Sequence, residues 1–363
     1  MRSVTEWLDT PLKWIGAITA VISLVLGVNE LTKVFSQTGE RRGRVTELQR
    51  VASEQQKSGD YAAAWATLDQ ASKAAEEDGG FAGLIGGLDK ERLAVRTSQE
   101  DLAMAWLRDV RIPGGGSFST VVDPLAAVVT RGVVGATGVR KADLLGHLGW
   151  AYFLKSRDGS TTRSPEENYQ QALDIDPSNP FAHAHWGHWI MWQRGSVDEA
   201  NRHFAAAVAS GRERPYVRRI QLAALRLYGS AANENALFHA VDDMRRNNEP
   251  IDAVTRRDVY NSYYSAFNSD PYVQRVVGIL PPDEHIATMR ALFFGADFDP
   301  ARVPLRDAMM ALLLEAAGRR DESLAAWRGV RAELPRGGDQ RVRDRADAAI
   351  ARLSRPAAGS GGR

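Results

Sequence analysis

The chain has 363 residues, 44% of them hydrophobic and 25% charged, with 46 Lys plus Arg against 45 Asp plus Glu. The charge balance excludes a nucleic-acid binder that works through bulk positive charge, and the apolar fraction excludes a disordered chain. The absence of cysteine excludes disulfides, thiolate zinc sites, iron–sulfur clusters and thiol nucleophiles.

In chain order, the first element is Trp14 to Val28, WIGAITAVISLVLGV, which carries no charge. Thr10-Pro11 before it reads as an N-cap followed by proline at the first helical position. A bilayer span needs about 20 apolar residues. Leu12, Leu31, Val34 and Phe35 extend the apolar run, and Lys13 and Lys33 are placed to snorkel. A cleaved signal peptide fits less well, because the N-terminus is charge-balanced and Gly27-Val28-Asn29-Glu30 is a poor cleavage exit. A buried soluble helix would show a polar stripe, which is absent. The segment is therefore expected to be a membrane helix. Gly16, Ala20, Ser23 and Gly27 share one face of it, the small-residue spacing that lets membrane helices approach and self-associate; the same residues are also simply common in such helices. Lys33, Arg41, Arg42 and Arg44 follow the span, against Arg2 and Lys13 before it, which places the body in the cytoplasm by the positive-inside rule.

The body reads as helices. Leu48, Val51, Ala52, Gln55, Ala64, Leu68 and Ala71 form two amphipathic turns-and-a-half around Ser58-Gly59-Asp60-Tyr61, with Gly59 as a C-cap. Helices are expected over Glu91 to Val110 and Ser119 to Val134, with breaks at Gly79 to Gly87 and Pro113 to Ser117. A second helical pair runs from Leu145 through Leu148, Gly149 and Tyr152 to Tyr169, Ala172 and Pro177, with a loop insertion at Arg157 to Thr162. A third follows in tandem, with Trp186, Gly187, Ile190, Ala200, Phe204 and Ala207, joined through Asp176-Pro177-Ser178-Asn179-Pro180. Further helices are expected over Arg214 to Tyr228, Asn233 to Arg246, Thr255 to Phe267 and, after Pro281-Pro282, Asp283 to Phe294. A fourth pair carries Met310, Ala311, Leu314, Gly318, Ser323, Trp327, Val330 and Pro335. Arg341 to Leu353 reads as a charged capping helix, and the last eight residues have nothing to bury. No run alternates as a strand would.

Read at a period near 34, these four pairs resemble the tetratricopeptide repeat (TPR), whose packing positions carry large apolar or small residues on two antiparallel helices. The resemblance covers a little under half of the chain and departs from the pattern at Ser323 and Val330. It implies an all-α helical-hairpin solenoid, and a concave groove lined by the first helix of each pair. Carried onto this chain, the groove positions are Trp150, Phe153 and Leu154, then Ala184, His188, Met191 and Trp192. In the first pair they are the polar Gln49, Ser53, Gln56 and Lys57. An aromatic groove suits an apolar peptide or partner helix; neighbouring helices of the same chain would fill it equally well.

Catalytic signals are weak. There is no GxxxxGK[ST] loop, GxSxG elbow, HExxH or calcium loop. Gly132, Gly135 and Gly138 follow a helix rather than a strand. His183, His185 and His188 cluster, and His185 and His188 share a face that suits a metal, but only His147 offers a third ligand. The basic run Arg212, Arg214, Arg218, Arg219 and Arg226 is read as a solvated helix face, with acidic peptides or anionic lipid headgroups as the other option.

The expected fold class is thus all-α: a TPR-like helical-hairpin solenoid preceded by a single N-terminal transmembrane helix. Its segments are 1–35, 36–110, 111–215, 216–300, 301–355 and a tail, 356–363. The expected function is a membrane-anchored scaffold or adaptor, not an enzyme. No cofactor is expected. The expected partners are a protein or peptide in the groove, membrane lipid at the N-terminal helix and a further copy of the chain, with no nucleic acid. The alternative is a membrane-assembling effector whose N-terminal helix oligomerises or perturbs the bilayer under control of the repeat region.

Overall fold

The helices begin and end where local chemistry dictates. In the computed structural model of the chain, which describes residues 38–76, 88–110, 116–267, 270–295, 298–334 and 339–355, the secondary structure is α-helical and contains no strand. The N-terminal segment carrying Gly16, Ala20, Ser23 and Gly27, the glycine-rich break Gly79 to Gly87, and the tail from 356 lie outside the described residues.

The chain divides into two compact units, Met1–Asn168 and Tyr169–Arg363. In the first, α1 (38–57) and α2 (Tyr61–Glu76) are followed by α3 (Asp89–Asp109), α4 (Phe118–Gly135) and α5 (Gly138–Ser156). Between α1 and α2 the turn closes through Gly59 at φ +82°, where a side chain would be strained. The Asp60 N–H then returns to the Gln55 carbonyl at 2.9 Å. This satisfies one of the orphan acceptors at the helix end. The seam of this hairpin is small and apolar: Ala52, Ala64 and Leu68 are buried together with Leu102 of α3.

Among the described residues, one helix is long and apolar enough to cross a membrane, α4. Its stripe Val122, Leu125, Ala126, Val128, Val129 and Gly132 is buried, and it packs with α3 and α5. The opposite face exposes Asp123, Thr130 and Arg131. Asp123 takes an ion pair from Lys155 of α5 at 2.5 Å. That two-faced pattern is what a core helix needs. Gly132 faces Glu100 so closely that an added Cβ would meet its carboxyl at 2.8 Å. The Glu100 carboxylate, almost buried, is held there by Arg96 and Arg140.

The second unit continues α6 (Glu166–Ile175), whose start belongs to the first, into α7 (Pro180–Trp192) and α8 (Val197–Ala209). It goes on through α9 (Arg214–Leu225), α10 (Ala231–Arg246), α11 (Ala253–Phe267), α12 (Asp270–Ile279), α13 (Pro282–Phe293), α14 (Val303–Ala316), α15 (Arg320–Glu333) and α16 (Gln340–Leu353). Side-chain N-caps recur along this unit. Asn179 accepts from the Ala182 N–H at 2.9 Å, with Pro180 opening α7, and Ser196 and Ser230 cap α8 and α10 in the same way.

Packing in this unit closes on small residues between helices. At Gly187 of α7 a Cβ would lie 2.9 Å from the Phe204 ring and 3.1 Å from the Ala200 carbonyl oxygen. Glycine there lets α7 and α8 close on a fully buried phenylalanine, whose burial contributes about 2–3 kcal/mol. In the α14–α15 hairpin the place of a small apolar residue is taken by Ser323. Its hydroxyl donates to the Ala311 carbonyl at 2.9 Å, so the buried polar group is satisfied. A continuous apolar core then runs from Leu222 and Phe238 to Trp327, with α16 supplying Val342, Ala346, Ala349 and Leu353. Arg345 of α16 donates to the Phe267 carbonyl at the end of α11 and stacks over the Phe267 ring.

Candidate functional site

The residues expected to line a groove divide between the two units. Trp150, Phe153 and Leu154, all on α5, are buried. The Trp150 indole donates to the Leu107 carbonyl at 3.0 Å. That carbonyl lies in the last turn of α3, where helix acceptors have no partner of their own. Beside it, the His147 Nδ1 contacts the Asp143 carbonyl at 2.7 Å, and its Nε2 accepts from Arg108 at 2.9 Å. The two contacts together define a neutral imidazole that donates from Nδ1.

In the second unit Ala184, His188 and Met191 of α7 are buried, and Trp192 is half-buried. Of the seven groove positions, then, only Trp192 reaches the surface, in a half-exposed row with Trp186 and Trp189. The Tyr228 hydroxyl donates to the Trp192 carbonyl at 2.9 Å, and Arg194 lies 4.7 Å over the Tyr228 ring. A surface contact at this end would engage Trp189, Trp192 and the Arg194–Tyr228 pair. The six buried positions act through packing.

The histidines separate by partner. His185 is fully buried, with Nε2 2.6 Å from the Tyr216 hydroxyl of α9. His183 faces His203 of α8, their Nδ1 atoms 3.0 Å apart, while its Nε2 lies 3.0 Å from the Pro177 carbonyl. A carbonyl only accepts, so His183 carries its proton on Nε2 and its Nδ1 accepts from the His203 Nδ1–H. Trp186 covers His203 with ring centroids 4.8 Å apart. Burial first, and then the nearby His183 and Arg202, push the His203 imidazole down to about 4. His203 is absent from the sequence cluster because the pairing reaches across the hairpin. Among the described residues no group of three or more His, Asp or Glu is placed to hold a metal ion.

Within the basic run, Arg218 departs from the solvated face expected from sequence, while Arg226 is exposed and Arg212, Arg214 and Arg219 are partly so. Arg218 is only 4% exposed and forks onto Glu249 at 2.8 and 3.0 Å, with Asp243 and Gln221 as further acceptors. Arg214 reaches Glu249 at 3.5 Å, Arg226 pairs with Asp258 at 2.5 Å, and Arg212 approaches Asp176 at 3.6 Å. Arg219 lies 5.3 Å over the Tyr216 ring. The balancing acids sit on neighbouring elements, where a search within the run finds only Glu213.

No protein-family model matches the chain, and no curated protein sequence matches it.

Proposed function

We propose that the chain is a scaffold of TPR-like helical hairpins, held at a membrane by its N-terminal apolar segment, that binds a partner protein or peptide. The observation carrying this reading is the hairpin seam. Gly187 against Phe204, the alanines at 52 and 64, and Ser323 bonded to Ala311 all fall where the repeat spacing puts close-packing residues. Stacked hairpins of this kind build an extended surface whose chemistry varies from repeat to repeat. The partner surface is the half-exposed edge of α7 around Trp189 and Trp192, a tryptophan-rich patch of the kind that anchors protein contacts. The uncharged stretch Trp14 to Val28 supports the anchor. Anchoring raises the partner's concentration at the membrane and requires no chemistry.

The test compares the full chain with a chain lacking residues 1–35 in the source cells. The reading predicts that the full chain sediments with membranes together with a second protein. The shortened chain keeps the same second protein in the soluble fraction. If the full chain instead releases dye from liposomes and carries no second protein, a membrane-assembling effector replaces the scaffold.

A further inference from the structure

The second unit contains an open cleft of about 810 Å³ between α8 and α10, floored by α9. This is within the size range of ligand sites. Its walls are unusually smooth for a helical array: Ala205 and Ala209 on one side, Ala231, Ala232, Ala236 and Ala240 on the other. Alanines leave the space between two helices unfilled, and an open trough results.

The polar groups of the cleft are of two kinds. Arg218, in the floor, is spent: its donors go to Glu249, Asp243 and Gln221. The wall groups are not. Asn201 on α8 and Asn235 on α10 line the cleft and make no side-chain hydrogen bond among the described residues. Each carboxamide offers donors and an acceptor together, which matches the paired N–H and C=O of a peptide backbone. Asp198, exposed at the mouth, has no ion pair among the described residues, whereas Asp243 on the opposite wall is held by Arg218 and by the Asn247 carboxamide. Glu249 stands behind the floor, between Arg214 and Arg218. His239 also lines the cleft. Arg214 and Arg218 are matched by Glu249 and Asp243, which leaves Asp198 as the uncompensated carboxylate at the mouth.

We propose that this cleft binds a basic peptide segment with small side chains. The alanine walls take the segment's small residues, Asn201 and Asn235 engage its backbone, and Asp198 pairs with its Lys or Arg. The proposal rests on the scaffold reading above and names a site and partner chemistry for it. It uses a surface distinct from the α7 edge.

The test is fluorescence anisotropy with the purified full chain and two short fluorescein-labelled peptides, one of alternating Ala and Lys, the other of alternating Ala and Glu. The Ala/Lys peptide is expected to bind, and the Ala/Glu peptide at least about tenfold more weakly. Asp198→Lys, at an exposed position, should weaken the Ala/Lys peptide by about tenfold. Ala236→Trp should abolish binding while leaving the circular dichroism unchanged. Equal binding of the two peptides overturns the proposal, as does no binding of either. Wild-type affinity in Asp198→Lys, or in a normally folded Ala236→Trp, also overturns it. A failed peptide assay alongside a second protein that still follows the anchor into membranes removes the cleft and leaves the scaffold standing.

Discussion

Replacing Gly187 by alanine tests the close approach of α7 and α8. The added Cβ would lie 2.9 Å from two ring atoms of Phe204 and 3.1 Å from the Ala200 carbonyl oxygen. Carbon atoms prefer about 3.5–4.0 Å. The ring is fully buried and the oxygen belongs to the α8 backbone, so neither yields freely. On helix propensity alone, alanine should stabilise α7 by about 1 kcal/mol. Overpacking a filled core costs about 1–3 kcal/mol. The second effect wins, and Gly187→Ala should lose about 1 kcal/mol, with Gly187→Val losing more. Phe204→Leu alone should also destabilise, by about 1 kcal/mol, through lost packing. Combined, the two should cost at least about 1 kcal/mol less than their sum, because the smaller side chain vacates the space the new methyl needs. Urea unfolding followed by tryptophan fluorescence reads this directly, since Trp186, Trp189 and Trp192 flank the seam. Stabilisation by Gly187→Ala with additive behaviour in the double variant would refute the described packing.

Three further outcomes follow from other contacts. Stability should fall on acidification between about pH 6.5 and about 4. The folded state holds His203 neutral, at about 4 against an ordinary 6.5, so the unfolded chain binds more protons in that window. The full shift corresponds to roughly 3 kcal/mol, and partial exposure of the ring reduces it to about 2. His285, pushed down by burial in the same sense, adds to the slope, and His203→Gln should flatten it in pH-dependent thermal melts. Arg218→Met leaves Glu249 buried with only the longer contact to Arg214, and should cost about 3 kcal/mol in urea unfolding. Arg218→Met with Glu249→Leu should recover most of that, because the uncompensated charge is then gone. Asp158→Ala should speed hydrogen exchange at the Phe118 amide. That carboxylate accepts from the Phe118 N–H and from the Ser117 and Ser160 hydroxyls, and the Ser160 hydroxyl above all holds it down at about 2.

Local features were legible in the sequence where they depend on periodicity and caps. Helices expected over Glu91 to Val110, Ser119 to Val134 and Asp283 to Phe294 are observed as Asp89–Asp109, Phe118–Gly135 and Pro282–Phe293. The reading places no element between Phe267 and Pro281, where α12 lies. That helix is short, carries the β-branched Val273, Val276 and Val277 and contains Gly278, so propensity argues against it. The candidate site was less legible, because side chains at groove positions cannot reveal what packs on them. Trp150 reads as a free aromatic anchor until the Leu107 carbonyl appears beside its indole. Arg218 reads as a surface charge until Glu249, on the segment after α10, folds back onto it. His183 finds His203 across a hairpin whose closeness depends on Gly187. All three pairings are tertiary, and no local pattern encodes them.

The central claim is that the half-exposed tryptophan edge of α7 touches a partner protein. The most direct measurement places a photo-reactive amino acid at Trp192 in the full chain, in the source cells, with the same probe at the buried Trp327 as control. The account predicts a light-dependent adduct with a second protein from position 192 and none from position 327. No adduct from either position, or the same adducts from both, would contradict it.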